Sequence, residues 1–316
     1  AARYTSSTVN CWHADDVYIG ADLRGVLEIL ISVLELRGAT VVVESPCDWV
    51  ILRLLDCAQV RVIELPLLAG GVIDPQRLES LLKNEPVRLI LLSSALSMPH
   101  GSLLSATNRQ AIAHLLGCHG TWVLENDCHS ELDEGIDSQR LRDWLDPDRL
   151  LVFSTFEKFI GAEAPFGFVL SRHWRSELQR HFLLRAFSVS LIRQKAIARL
   201  LGGGRLDQHL SVLRRMLKER RTQLIQLLRE RLGDALQVVE PQGGATVWVS
   251  SLRPVDMGNV FQRLLKHQII IAPGELFSLQ GLHAHHLRLN SLSHGDHDLA
   301  NVVGLLGDAL RLAPEG

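Results

Sequence analysis

The residues of this chain whose types and spacing could do chemistry centre on Lys158, which closes the run Ser154-Thr155-Phe156-Glu157-Lys158. That run follows a strand-like stretch, Leu150-Leu151-Val152-Phe153. A lysine amine at a strand end can attack an aldehyde to form a Schiff base. The hydroxyl of Thr155, three residues before it, is spaced to face a phosphate. A second strand-like run, Thr121-Trp122-Val123-Leu124, ends in Glu125-Asn126-Asp127-Cys128-His129-Ser130-Glu131. Lys158 reads either as a surface lysine at a strand end or as a buried site lysine, and the second is the expectation. Arg288, in the strand-like Leu287-Arg288-Leu289, is either a clamp for a substrate carboxylate or a half-exposed charge. Cys128 could ionise near a lysine, but a buried, inert cysteine is expected.

The elements that would position these groups alternate along the first two-thirds of the chain. Strand candidates are Val17-Tyr18-Ile19, Thr40 to Val43, Val60 to Ile63, Leu89 to Leu92, Thr121 to Leu124, Leu150 to Phe153 and Phe166 to Leu170. Most are uniformly apolar, as expected of a sheet covered on both faces. Between them the helical period appears over Ala21 to Arg37, Pro46 to Cys57, Pro75 to Asn84 and Ser105 to Cys118, with Gly38 and Gly120 at stop positions. This alternation predicts a mostly parallel, doubly wound α/β sheet. After Gly202-Gly203-Gly204 the pattern changes. A long amphipathic stretch, Leu206 to Leu232, precedes strands near Gln237 to Val239, Ala245 to Val249, Ile269 to Ile271 and Leu287 to Asn290. Helices are expected over Val255 to His267 and Asp296 to Leu312. The division is therefore a large α/β domain, 1–204, and a small α+β domain, 205–316.

The 316 residues are 47% hydrophobic and 22% charged, which suits a sizeable core and excludes a disordered chain. A net charge of −2 gives no basic excess to recruit nucleic acid. Five cysteines without a CxxC pair predict a reducing, cytoplasmic home. No apolar run is long enough for a membrane span. His283, His285 and His286, followed by His294 and His297, lack the spacing of a zinc centre, so a polar loop and no metal site are expected. Arg214, Arg215, Arg220 and Arg221 mark a solvated helix face packing on a neighbour.

Eight runs, in order, carry a resemblance. They are Gly20-Ala21-Asp22 at a helix opening, Glu44-Ser45-Pro46-Cys47-Asp48-Trp49, Met98-Pro99-His100-Gly101, Glu125 to Glu131, Thr155 to Lys158, His209 to Arg221, Gln242-Gly243-Gly244, and Pro273-Gly274 with Leu287-Arg288-Leu289. Together they resemble the pyridoxal-phosphate-dependent enzymes of fold type I, and in particular the aminotransferase-like domain of MocR-type regulators in the GntR superfamily. The resemblance implies a homodimer and pyridoxal 5'-phosphate as cofactor. It makes Lys158 the Schiff-base lysine equivalent and assigns Gly20, Ala21, Trp49, Asn126, Cys128 and Thr155 to the cofactor. It gives Arg288 to the carboxylate of a substrate or effector.

The chain departs from that pattern at the cofactor itself. Asn126 stands where the family places the aspartate that keeps the pyridine nitrogen protonated. Cys128 and Met98 replace the tyrosine and asparagine that meet the phenolic oxygen, and neither is a comparable donor. Pro165 stands where an arginine would hold the phosphate, and no arginine occurs between Lys158 and Arg172. Asp22, in the first turn of the helix meant for the phosphate, is expected to serve as an ordinary cap. Loss of the ring-nitrogen acid and the phosphate arginine together removes roughly 4–7 kcal/mol of contact energy.

Three functions follow. The first is an effector-sensing, dimerising domain of a MocR-like regulator, with weak or lost pyridoxal-phosphate chemistry and an amino-acid-like or vitamer effector. The second is an active aminotransferase or lyase acting on an amino acid. The third is a purely structural dimerisation module. Nothing before the first strand has the length or basic character of a winged helix, so DNA contact is expected only through an N-terminal domain outside this chain.

Overall fold

Strands that are apolar on both faces need cover on both, and the first part of the chain supplies it. In a computed structural model, which describes residues 1–5, 11–93, 95–134, 139–185, 190–292 and 298–315, seven of these runs form one sheet. They are β1 (Val17–Ile19), β2 (Thr40–Ser45), β3 (Arg61–Pro66) and β4 (Val87–Ser93) and, beyond a short hairpin of β5 (Leu96–Ser97) and β6 (Ser102–Leu103), β7 (Trp122–Asn126), β8 (Leu150–Thr155) and β9 (Gly167–Leu170). The order across the sheet is β1-β9-β8-β7-β4-β2-β3. Every pairing from β8 across to β3 is parallel, while β9 runs antiparallel to both β8 and β1. The expected α/β class, with a large and mostly parallel sheet, is the observed one.

Helices α1 (Leu23–Val33), α2 (Trp49–Cys57) and α6 (Arg175–Arg185) cover one face and α3 (Pro75–Asn84) and α4 (Ala106–His119) the other, while the single turn α5 (Glu157–Ile160) and α7 (Leu191–Gly202) pack outside these two layers. The pleat sends successive side chains of one strand to opposite layers. Val41 and Val43 pack with Leu30, Leu52 and Phe182 from α1, α2 and α6. Val42, between them, packs with Leu78, Ile112 and Leu116 from α3 and α4. Each such fully buried side chain stabilises the fold by about 1.5–3 kcal/mol. Asp22, Asp48, Asp74 and Ser105 cap the first four helices through their side-chain oxygens. Gly120 ends α4 at φ 60°, a left-handed conformation that favours glycine.

The rest of the chain builds a second sheet with its own core. Strands β10 (Leu236–Val238), β11 (Thr246–Ser251), β12 (Ala272–Pro273) and β13 (His286–Asn290) pair antiparallel in the order β10-β11-β13-β12. They pack against α9 (Met257–Leu265) and α10 (Leu299–Leu312). The 28-residue α8 (Arg205–Leu232) joins the two parts. Its first half buries Leu206, Leu210 and Leu217 with Leu132 and Phe159, and its second half gives Leu224, Ile225 and Leu228 to the second core. Its basic side chains are not merely solvated. Arg214 donates to the Glu131 carbonyl, Lys218 pairs with Glu134 at 2.7 Å, and buried Arg221 reaches both Glu134 and the Gly244 carbonyl.

Two details differ from the sequence reading. Ile269 to Ile271 is not a strand: Ile269 and Ile271 are buried and Ile270 is 78% exposed, but the edge of β13 is met only from Ala272 onward. Helices α6 and α7 were not anticipated, because α6 buries only Leu178 and Phe182, and α7 only Ile197. The start expected for the last helix, Asp296, lies outside the described residues. Among the described residues no helix is long and apolar enough to cross a membrane.

Candidate functional site

The site begins where β8 ends. All six residues of β8 are buried, so the strand delivers Thr155 to the sheet edge with no freedom to turn outward. The Thr155 hydroxyl donates to the Phe166 carbonyl at 3.1 Å and accepts the Glu157 amide at 3.2 Å. It closes the turn that starts α5, with both its proton and a lone pair directed inward. Phe159 anchors α5 from beneath, buried with Leu206, Leu210 and Leu217, while its carbonyl lies 2.8 Å from Nε2 of His209 on α8. In a single helical turn only one side can face the core, and Phe159 takes it. Lys158 is therefore exposed, where a buried lysine was expected.

The opening of α1 lies directly on this edge. Gly20 donates its amide to the Gly167 carbonyl at 2.8 Å, and Gly167 is the register partner of Thr155. A Cβ on Gly167 would lie 2.8 Å from both the Asp22 carbonyl oxygen and the Leu23 Cα, so the close approach requires glycine. Gly20 is buried and Ala21 half-buried. Asp22 Oδ1 accepts the Gly25 amide at 2.7 Å, so a carboxylate already occupies the N-terminus of α1. The cap expected of Asp22 is what the structure shows.

At the end of β7, the neighbours Asn126 and Asp127 point to opposite faces. Asn126 Oδ1 accepts the Cys128 amide at 3.1 Å. Asp127 is buried on the other side, where its Oδ1 and Glu125 Oε1 lie 2.9 and 2.6 Å from Nη1 of Arg142. That guanidinium also lies over the Tyr4 ring, 4.9 Å from its centroid. Cys128 is buried, and burial pushes its thiol pKa well up despite the nearby Lys158 ammonium, which keeps it the inert cysteine expected. Met98 turns towards the second sheet, its sulfur accepting from the Thr246 hydroxyl at 3.8 Å. Trp49, at the first position of α2, is 41% exposed.

Charged groups from three separate elements converge on His129. Burial, reinforced by Lys158 and Arg288 and opposed by Asp48, pushes its pKa down to about 4, so the imidazole is neutral at pH 7. Arg288, on β13, is half-buried and lies over the Phe277 ring at 5.3 Å. Its pKa is lowered by burial and supported by Asp48. Phe277 in turn accepts the amide of Cys47, the neighbour of Asp48, at 3.1 Å. The structure thus brings Lys158, Cys128 and Arg288 to one region, together with Asp48 and His129, which the sequence reading had not singled out. Their signal was adjacency: Asp48 lies inside the Glu44 to Trp49 run, and His129 follows Cys128. Among the described residues no group of three metal-ligating side chains occurs.

Residues 2–304 match the family described as aminotransferase class I and II. The chain belongs to this family. Among curated relatives, the uncharacterized HTH-type transcriptional regulator YdcR of Escherichia coli (strain K12) is 28% identical over 265 residues, covering 84% of this chain and 57% of that protein. A second HTH-type regulator of the same organism, YjiR, is 25% identical over 304 residues, covering 96% of this chain and 64% of that protein. The chain thus spans about three-fifths of the length of these relatives. Among solved structures, the multiple substrate aminotransferase of Thermococcus profundus superposes with a TM-score of 0.87 at 20% identity, covering 98% of this chain and 79% of that one. LysN, the α-aminoadipate aminotransferase of Thermus thermophilus, complexed with N-(5'-phosphopyridoxyl)-L-leucine, gives 0.84 at 21% identity, covering 94% and 77%. By its family, this aminotransferase fold is one associated with pyridoxal phosphate.

The residues present in this family member do not fit that cofactor well. Where a phosphate would meet the opening of α1, the Asp22 carboxylate holds the free amide. The Thr155 hydroxyl is committed to backbone partners. The next arginine after Lys158 is Arg172, whose guanidinium stacks on Trp12 and donates to the Cys11 carbonyl. On the ring side, Asn126 offers no carboxylate, and Asp127 is turned away onto Arg142.

Proposed function

We propose that this chain is the effector-sensing and dimerising domain of a MocR-like transcriptional regulator, cytoplasmic, with an aminotransferase fold and weak or lost pyridoxal-phosphate chemistry. The observation that carries the reading is the Asp22 carboxylate capping α1 directly over the Thr155–Gly167 edge. An anion arriving there meets a negative charge and a donor already in use. The regulator names of YdcR and YjiR support the regulatory half of the proposal. DNA binding then belongs to a part of such a regulator outside these 316 residues. The division into a large domain, 1–204, and a small domain, 205–316, is part of the proposal, with the first half of α8 serving the large one.

The effector is a small, amino-acid-like or vitamer ligand. Arg288, half-buried and without an ion pair among the described residues, would take its carboxylate. A second copy of the chain would cover Leu183, Leu184, Leu191 and Ile192, which are 67–82% exposed. The competing reading, an active aminotransferase or lyase, rests on the exposed Lys158 amine at the same edge. A thermal-shift panel of amino acids and vitamers separates the two. The proposal expects a ligand that raises the melting temperature of the wild type but not of Arg288→Ala. Steady amino-group transfer to a keto acid, dependent on Lys158, would support the enzyme instead.

A further inference from the structure

Three histidines from two segments meet where the second sheet approaches the end of the first. His283 lies just before β13, His286 opens β13, and His100 sits in the turn between β5 and β6. The rings of His283 and His286 are 5.1 Å apart. Trp248, on β11 and almost fully buried, stacks on His286 at 5.3 Å and meets His283 edge-on at 5.6 Å. On the far side, the Ser45 hydroxyl at the end of β2 lies 2.9 Å from His283 Nε2 and donates to Glu64 Oε2 at 2.6 Å. With the serine proton given to Glu64, His283 must carry its hydrogen on Nε2 and leave Nδ1 bare. Glu64, at the end of β3, also accepts the amides of Leu279 and Gln280 at 2.6 and 2.9 Å. This hydroxyl–carboxylate pair ties residues 278–283 to the large sheet. His100 Nδ1 lies 2.8 Å from the Ser102 hydroxyl, and His286 Nδ1 is buried without a hydrogen-bond partner. The expected polar loop is thus a packed histidine cluster for His283 and His286. His294 and His297 lie outside the described residues.

We propose that this cluster is a pH-sensitive latch between the two sheets, closed while its imidazoles are neutral and released when they take up protons. Facing it are Glu64 through Ser45, His285 beside His286, and Arg288 two residues along β13 over Phe277. Burial, then the neighbouring His286 and His100, pushes the pKa of His283 down to about 4. Burial likewise lowers those of His100 and His286. A charge on His283 would sit among two other imidazoles and the Trp248 ring, where desolvation opposes it. The sign follows from proton linkage. The closed latch is fully favoured above the ordinary histidine pKa of about 6.5 and loses ground as pH falls from there towards 4. A shift of this size moves the closed-to-open ratio by about twentyfold between pH 7 and pH 5.

Hydrogen exchange of the segment 274–286 tests this, with rates corrected for intrinsic pH dependence and β8 as the internal reference. In the wild type, protection of that segment should fall about twentyfold between pH 7 and pH 5 while β8 is unchanged. His283→Gln keeps a donor to Ser45 but cannot take a proton, and should remove most of the pH dependence. His100→Gln, which spares the contact with Ser45, should reduce it and serves if His283→Gln does not fold. Wild-type protection equal at both pH values would overturn the proposal, as would a fall undiminished in both variants.

Discussion

Arg142 shows what one residue does here. Its guanidinium pairs with both Glu125 and Asp127, each buried, and lies on Tyr4. Arg142→Ala leaves two carboxylates in the interior without their shared cation, which should destabilise the fold by about 3–5 kcal/mol in urea unfolding. The change should not touch the Lys158 edge, because Asp127 points away from it. A loss under about 1 kcal/mol would mean that the carboxylates are solvated or protonated in the folded chain. The departures at Asn126, Cys128 and Pro165 were legible in the sequence, since the first two fall inside a recognised run and Pro165 at a fixed distance beyond another. The exposure of Lys158 was not, because it depends on Phe159 winning the inward position through contacts with α8, some fifty residues away. A restoring pair tests these substitutions. Asn126→Asp with Pro165→Arg should raise affinity for pyridoxal phosphate at least tenfold, followed by absorbance titration, because each change returns a charged contact. Unchanged affinity would place the defect elsewhere.

At the scale of elements, the opening of α1 bears most of the argument. Asp22→Ala removes the side-chain acceptor for the Gly25 amide and should lower stability by about 1 kcal/mol, measured by chemical denaturation. No change would show that the cap is dispensable and that the carboxylate is free to move aside for a ligand. The strands of the large sheet were legible because their apolar runs are short and sit between clear helical periods. Helices α6 and α7 were not, since each turns few apolar side chains inward. The short strand Ala272–Pro273 was displaced from the preceding isoleucines because pairing, rather than apolarity, decides where a strand begins. Asp48 and His129 were missed for a related reason. Each lies inside a recognised run but at a position given no role there, and only the approach of β13 brings Arg288 to them.

For the whole molecule, two sheets with separate cores share the long α8, and α6 and α7 carry exposed apolar side chains that the proposed dimer would cover. Light scattering should give about twice the 35.2 kDa chain mass, and Leu184→Glu with Ile192→Glu should return it to the monomer. A monomeric wild type would remove dimerisation from the proposed role. The central claim is that this aminotransferase-family chain keeps the lysine and has lost the grip on the cofactor. Titration of the purified protein with pyridoxal phosphate, read by absorbance alongside Lys158→Ala, tests it most directly. The account predicts a colourless protein with no saturable, Lys158-dependent absorbance band at micromolar cofactor, since a deficit of roughly 4–7 kcal/mol moves micromolar binding to millimolar or weaker. A saturable band at micromolar cofactor that disappears in Lys158→Ala would contradict it.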